Sequence, residues 1–244
     1  MDYVLSKTSL CVTSFGPSGY DLYGRTFLET FVKHVDCDLV VYIEGQENRP
    51  LFSHPRVTFR DLTAAKGLQQ TLAITSFPAA RGMLWGNEQR NYRFDVHKFC
   101  RKSFAQIDAA VRWFNEGGEA LYWIDADVEF FSGFPLPNVA HTFMLYLGRP
   151  EWHSCASFVG WNLKHAACQK FFDRYLGIYT TGTVFALPEW HDSYILDWLR
   201  AQLNVPADNL ATGLDLKGPA NVFDEVFSSA RHKKGNLKFR QEKN

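Results

Sequence analysis

Two stretches of the chain, Leu39–Ile43 (LVVYI) and Ala120–Ile124 (ALYWI), are apolar without interruption. Short runs of this kind, rich in β-branched and aromatic residues, suit strands buried on both faces, which require helices on both sides of a sheet. Helical periodicity lies between such runs. Thr8–Phe15 predicts a first strand, stopped by Gly16-Pro17-Ser18-Gly19, and within Gly24–Val35 the residues Phe27, Leu28, Phe31, Val32 and Val35 recur at helical spacing. Val57–Leu62 predicts a third strand. Arg93–Asn115 predicts a long helix with Phe94, Phe99, Phe104, Ile107, Val111 and Phe114 on or near one face, ended by Gly117-Gly118. Phe143–Leu147 and Ser157–Trp161 predict further strands, and Ala166–Tyr179 and Ser193–Leu203 further helices. Strand and helix in alternation with short connections imply an α/β chain: one domain with a mixed, mainly parallel central sheet flanked by helices.

Composition narrows the function. Lys plus Arg and Asp plus Glu are both 26, so the net charge is zero, which argues against a protein that coats polyanions. The five cysteines (Cys11, Cys37, Cys100, Cys155 and Cys168) form no CxxC and no zinc-knuckle spacing, so they read as small buried hydrophobes in a reducing compartment. The first residues lack the apolar run of a signal peptide, and no stretch has the roughly 20 apolar residues of a membrane span. The expectation is a cytoplasmic protein. Aromatic residues reach 16%, an excess that suits either a ring-rich core or platforms for flat ligands.

The strongest local signal is Asp125-Ala126-Asp127, directly after the Ala120–Ile124 run. Side chains at i and i+2 share a strand face and converge at a turn, and open α/β sheets bind ligands at the carboxyl ends of their strands. Paired carboxylates are hard oxygen ligands for Mg²⁺ or Mn²⁺ shared with substrate phosphates. A second signal, His232-Lys233-Lys234-Gly235-Asn236-Leu237-Lys238, offers a nitrogen ligand, a glycine for close backbone approach and a lysine for a phosphate. It also reads as the start of a solvated basic tail, since residues 231–244 carry six cations against one carboxylate.

Together the two segments resemble the metal-dependent GT-A glycosyltransferases, above all the retaining enzymes related to glycogenin and to bacterial lipooligosaccharide galactosyltransferases. The resemblance implies a GT-A (Rossmann-like) fold, with a nucleotide-sugar-binding half over residues 1–127, an acceptor half over 128–230 and a donor-binding tail over 231–244. It implies that Asp125, Asp127 and His232 ligate Mn²⁺ (or Mg²⁺), and that Ala126, Gly235 and Lys238 contact the nucleotide diphosphate. The family commonly continues Pro-Trp after the lysine, where this chain has Phe239-Arg240. The segments TSFGPSGYDLYGRTFLETF, YRFDVHKFCRKSFA, YWIDADVEF, YLGRP and EWHDSY are similar to phage and bacterial proteins classed only as glycosyltransferases.

By the same layout Thr13, Ser14 and Phe15 line the nucleotide pocket, Arg60 with Asp61 reaches the base or ribose, and Arg93 or Lys98 meets the diphosphate near a helix N-terminus. Asp192 and Glu189 are the candidate catalytic carboxylates, facing the transferred sugar or the acceptor. Asp192 equally suits an N-cap of the helix that follows. His34, His54, His141 and His153 read as surface or packing residues. The leading function is therefore transfer of a sugar from a nucleotide-diphosphate sugar to a hydroxyl, with a metal-dependent nucleotidyltransferase or phosphohydrolase, and a non-catalytic sugar or nucleic-acid binder, as alternatives. Three acceptor classes stay open: a hydroxymethylated pyrimidine base in phage DNA comes first, ahead of a surface glycan or lipid-linked saccharide, with a protein or small molecule last. The DNA reading rests on Arg81–Lys102, where Arg81, Arg90, Arg93, Lys98, Arg101 and Lys102 outnumber Glu88 and Asp95 and alternate with aromatic residues.

Overall fold

A computed structural model describes residues 8–45, 47, 49–83, 90–216 and 221–233. Among these residues, nine strands form a seven-stranded sheet in the order β3-β2-β1-β4-β7-β6-β8 and a separate two-stranded ribbon of β5 and β9. The strands are β1 (Ser9–Phe15), β2 (Asp38–Ile43), β3 (Val57–Asp61), β4 (Ala120–Ile124), β5 (Val128–Phe130), β6 (Met144–Arg149), β7 (Trp152–Asn162), β8 (Ala207–Asn209) and β9 (Ala230–His232). β3, β2, β1 and β4 are mutually parallel. β7 runs antiparallel to both β4 and β6, and β8 lies parallel to β6. The main sheet is thus mixed and mainly parallel, as expected.

Helices cover both faces. α1 (Arg25–His34) lies on one side, and α2 (Leu68–Ile74), α3 (Val96–Asn115), α4 (Cys168–Thr180) and α5 (Asp192–Leu203) lie on the other; the short α6 (Val222–Val226) joins the α1 side. Alternation along the strands feeds both cores. Leu10 and Val12 of β1, with Leu121 and Trp123 of β4, pack toward α3, whereas Cys11, Phe15, Tyr122 and Ile124 pack toward α1. That two-sided burial is why these strands read as unbroken apolar runs. The five cysteines are free and buried.

The loop after β1 turns directly into α1 through a five-residue π-helical segment, Tyr20–Gly24. Glycine permits a close approach there: a Cβ on Gly19 would stand 2.9 Å from the Phe15 Cβ, so that something would have to shift, and one on Gly24 would stand 3.0 Å from the Phe15 ring.

The predicted helix Arg93–Asn115 starts later, at Val96. Tyr92–Phe94 form a 3₁₀ turn, and Asp95 is the N-cap, its carboxylate accepting from the Lys98 N–H at 3.1 Å. The β5–β9 ribbon has no counterpart in the sequence pattern, because three-residue strands leave no periodicity to read. The start of the expected basic tail is therefore a strand, with His232 turned inward and Arg231 outward.

The ribbon rests on rings. Phe130 of β5 is 1% exposed and packs against Phe27, Phe31 and Phe134 at centroid distances of 5.8, 5.9 and 5.0 Å. Phe130→Ala leaves a cavity there, and it is expected to lower the free energy of unfolding in urea by about 3–5 kcal/mol. A loss below about 1 kcal/mol, the scale of an exposed or freely relaxing site, would show that the ribbon does not depend on this cluster.

Candidate functional site

The order of the sheet reverses beside β1, whose neighbours are β2 and β4, and open α/β sheets bind ligands at the carboxyl ends of their strands near such a reversal. Pairing of β1 with β4 ends at Val12 and Trp123. The next residues of β4 lead to Asp125, fixed by its own N–H donating to the Ser157 carbonyl at 2.9 Å. A turn closed by Val128 N–H to the Asp125 carbonyl (3.1 Å) then presents Asp127.

The ribbon brings the third member from the far end of the sequence. Val128 pairs with His232, and the Lys233 N–H donates to the Asp127 carbonyl at 2.9 Å. The His232 N–H donates to Asp224 Oδ1 (2.7 Å) and its carbonyl accepts from Asn221 Nδ2 (2.8 Å). His232 Nε2 consequently lies 2.9 Å from Asp127 Oδ1 and 3.7 Å from Asp125 Oδ2. One ligand atom from each of Asp125, Asp127 and His232 lies within 4.8 Å of the other two. Two carboxylate oxygens and one imidazole nitrogen fit Mn²⁺ or Mg²⁺ that keeps further positions for substrate oxygens.

A cation of the chain itself reaches the same carboxylates. Lys102 Nζ donates to Asp125 Oδ1 (2.7 Å) and to the Ala156 carbonyl (2.6 Å), and pairs with Asp192 Oδ2 at 2.9 Å. Trp123 Nε1 also donates to Asp125 Oδ1, at 2.7 Å. Burial works to strip Lys102 of its proton, but Asp125 and Asp192 outweigh it and raise its pKa. Burial likewise works to raise the Asp192 carboxyl, yet Lys102 holds it below the ordinary carboxylate value. Both groups are therefore charged at neutral pH.

These residues face a cavity of 1070 Å³, at the upper end of the roughly 300–1,000 Å³ of small-molecule pockets. Lys102, Asp125, Asp192 and His232 line it, with Arg93, His153 and His191 on another wall. Glu189 stands behind that wall. It meets Arg93 at 3.3 Å, His191 at 2.8 Å and His153 at 3.3 Å. Burial lowers the pKa of His191 despite its acidic neighbours, which keeps the ring neutral at pH 7.

No family model and no curated protein matches the sequence. Among solved structures, the WbbM bifunctional glycosyltransferase in its apo form aligns with 86% of this chain at 11% identity and a TM-score of 0.48. The chain covers 40% of that structure.

Of the residues singled out from sequence, the fold gathers Asp125, Asp127, His232 and Asp192 into one site, with Arg93 on its wall and Glu189 just behind. Ala126 is buried between the two aspartates. Thr13 and Phe15 are buried and Ser14 half-buried at the end of β1, outside the cavity lining. Arg60 lies on β3 and pairs with Glu116 at 3.6 Å, and Asp61 caps the turn that follows it. Neither lines the cavity, and the exposed Lys98 instead lies over the Phe99 ring. Gly235 and Lys238 fall outside the described residues. Asp192 is the first residue of α5 rather than its N-cap. His191 caps it, Nδ1 accepting from the Tyr194 N–H. His153, read as a surface or packing histidine, lines the cavity.

Burial alone would lower the pKa of His232, but hydrogen bonds to Asp127 and Cys155 and the charges of Asp127 and Asp125 raise it from 6.5 to about 9. A raised folded-state value stabilises the protein fully below pH 6.5, and the contribution is lost as pH rises through 9. Each tenfold difference in proton affinity between the folded and unfolded chain is worth about 1.4 kcal/mol. Metal-free protein is therefore expected to lose on the order of 3 kcal/mol of stability across that pH range. Denaturant melts in EDTA measure it. His232→Gln should flatten the slope, and an equal slope in that variant would assign it to other groups.

Proposed function

We propose that the protein is a metal-dependent glycosyltransferase that uses a nucleotide-diphosphate sugar. The observation that carries the reading is the convergence of Asp125, Asp127 and His232 next to the Lys102–Asp192 ion pair on one large cavity. Asp125, Asp127 and His232 hold the divalent cation, which when bound neutralises charge developing on the leaving diphosphate. In the transfer the bond from the anomeric carbon to the diphosphate oxygen breaks. A bond from that carbon to the acceptor oxygen forms, and the proton of the acceptor hydroxyl passes to the departing diphosphate or to solvent.

The chain's own residues orient the sugar. Lys102 keeps the Asp192 carboxylate ionised and fixed by one oxygen, leaving the other to accept from a sugar hydroxyl or to face positive charge at the reacting carbon. Lys102 is also a donor to sugar or phosphate oxygens once substrate draws it from Asp125. Arg93 offers a cation at the rim, with Glu189 as the residue that positions it. Gly235 and Lys238 are assigned to the diphosphate, on the resemblance described above.

For the acceptor we favour a glycan hydroxyl over a base in DNA. The cations that suggested DNA are largely engaged within the chain: Arg90 pairs with Asp95, Arg93 with Glu189, Arg101 with Glu44 and Lys102 with Asp125 and Asp192. Charge already paired has little left to exchange for the counterions of a phosphate backbone.

Calorimetry with a panel of nucleotide sugars, with and without Mn²⁺, tests the reading. Wild type is expected to bind at least one donor only with metal, and to release nucleoside diphosphate on slow hydrolysis. Asp127→Ala should abolish both while retaining the fold. Release of monophosphate or pyrophosphate would point to nucleotidyl transfer or phosphohydrolysis instead.

Lys238→Ala should weaken donor binding by about 1–3 kcal/mol, the range for a charge-assisted hydrogen bond. Native donor affinity in that variant would remove Lys238 from the site.

A further inference from the structure

Beside the main cavity lies a second cleft of 450 Å³, and the two share Arg149 and Trp152. Both residues belong to the β6–β7 hairpin, whose pairing is irregular between Tyr146 and Arg149 and whose turn residue Glu151 has a φ of 58°. Bulges of this kind re-aim side chains next to binding sites. Trp152 is 47% exposed, so its ring is open to a ligand that passes from one compartment to the other.

We propose that this cleft holds the second sugar unit of an oligosaccharide acceptor, whose terminal unit lies in the main cavity. The proposal rests on the transferase reading above. Three features of the cleft favour a neutral, hydroxyl-rich ring. First, its cations are already engaged. The Arg200 guanidinium pairs with Asp197 Oδ1 at 3.0 Å, and Arg149 Nε donates to the His153 carbonyl at 2.7 Å. The site thus offers directional hydrogen bonding with little free charge, unlike a phosphate site.

Second, its polar wall is rigid. Asp197 accepts from the Ser154 N–H (2.7 Å) and Oγ (2.6 Å), and Arg200 is stacked 3.6 Å from the centre of the Tyr146 ring. Asp197, held in place by these partners, lines the cleft as an acceptor for sugar hydroxyls. Third, Trp152 and Leu214 present exposed apolar surface on the same cleft, which suits the C–H face of a pyranose.

The experiment titrates the full chain, with Mn²⁺, with methyl hexosides and with hexose oligosaccharides of two to four units, followed by tryptophan fluorescence and calorimetry. A duplex carrying hydroxymethylated pyrimidines is the competing probe. Two variants at exposed positions, Trp152→Ala and Thr212→Trp, respectively remove the platform and fill the cleft, and thermal melts verify their folding. At least one disaccharide is expected to bind tenfold more tightly than its methyl hexosides, and both variants should erase that advantage.

Equal binding of all lengths, no oligosaccharide binding, unchanged preference in the variants, or preference for the duplex would each overturn the proposal. Mn²⁺-dependent nucleotide-sugar binding is measured on the same samples. Its presence beside a failed length preference removes only the cleft assignment, whereas its absence removes the transferase reading as well.

Discussion

The site depends on how one buried ammonium is satisfied. Lys102 has three N–H donors, and all three are used: by Asp125 after β4, by Asp192 at the start of α5 and by the Ala156 carbonyl of β7. The side chain therefore ties α3 to three other elements at one point. Burying an ion costs several kcal/mol, recovered only when its partners are close and well aligned. With Lys102 removed, Asp125 and Asp192 would lose the cation they share, and the buried Asp192 carboxyl would bind a proton more readily. The ammonium thus sets the charge state of the cavity as well as its shape.

The opposite wall follows from the same anchoring. α5 begins where Asp192 meets Lys102, and an acidic residue in the first turn is favourable with the helix dipole. His191 caps that turn through Nδ1, so its proton resides on Nε2, which points at Glu189. That tautomer bears on the cluster of His153, Glu189 and His191. The three lie close enough together to hold a metal, but a histidine whose second nitrogen accepts from a backbone N–H needs its first nitrogen protonated, and it serves as a donor to the carboxylate instead. Glu189 is then a hub that orients Arg93, His153 and His191 around the cavity mouth. The Trp190 N–H to the Arg93 carbonyl (2.7 Å) fixes the backbone of the same corner.

What the sequence makes legible follows from where its constraints are local. β4 has the expected bounds because an apolar run and a carboxylate mark both its identity and its end. Asp125 and Asp127 are legible as paired carboxylates at the end of an apolar strand, whereas His232 is joined to them in sequence only by the family resemblance. Lys102 does not stand out for chemistry, because in sequence it is one of six cations in a basic segment. Only its place three residues after Phe99 and four before the buried Gln106 hints that it lies on the inward flank of α3. Arg60 shows the converse. The expectation is a ligand contact near the end of β3, and the partner the fold gives it, Glu116, lies beyond the end of α3 and could be found only in three dimensions.

Part of the excess of aromatic residues goes to holding the ribbon. A pair of three-residue strands is at best marginal by itself, and closing a chain over the hundred residues between β5 and β9 adds an entropic cost that grows with the logarithm of the loop. The opposing contribution comes from rings. Phe134 stacks on Phe223 and contacts Phe227 at 4.9 Å, Phe227 contacts Phe158 of β7, and Phe130 joins the group to Phe27 and Phe31 of α1. Aromatic pairs add directional preference to area burial, so a connected group of them fixes orientation as well as proximity. Phe223 also meets the His232 ring at 6.0 Å. The rings on this face of the sheet thus help to hold the His232 imidazole against the Asp127 carboxylate, while Trp123, Trp161, Phe171 and Tyr175 fill the core on the other face.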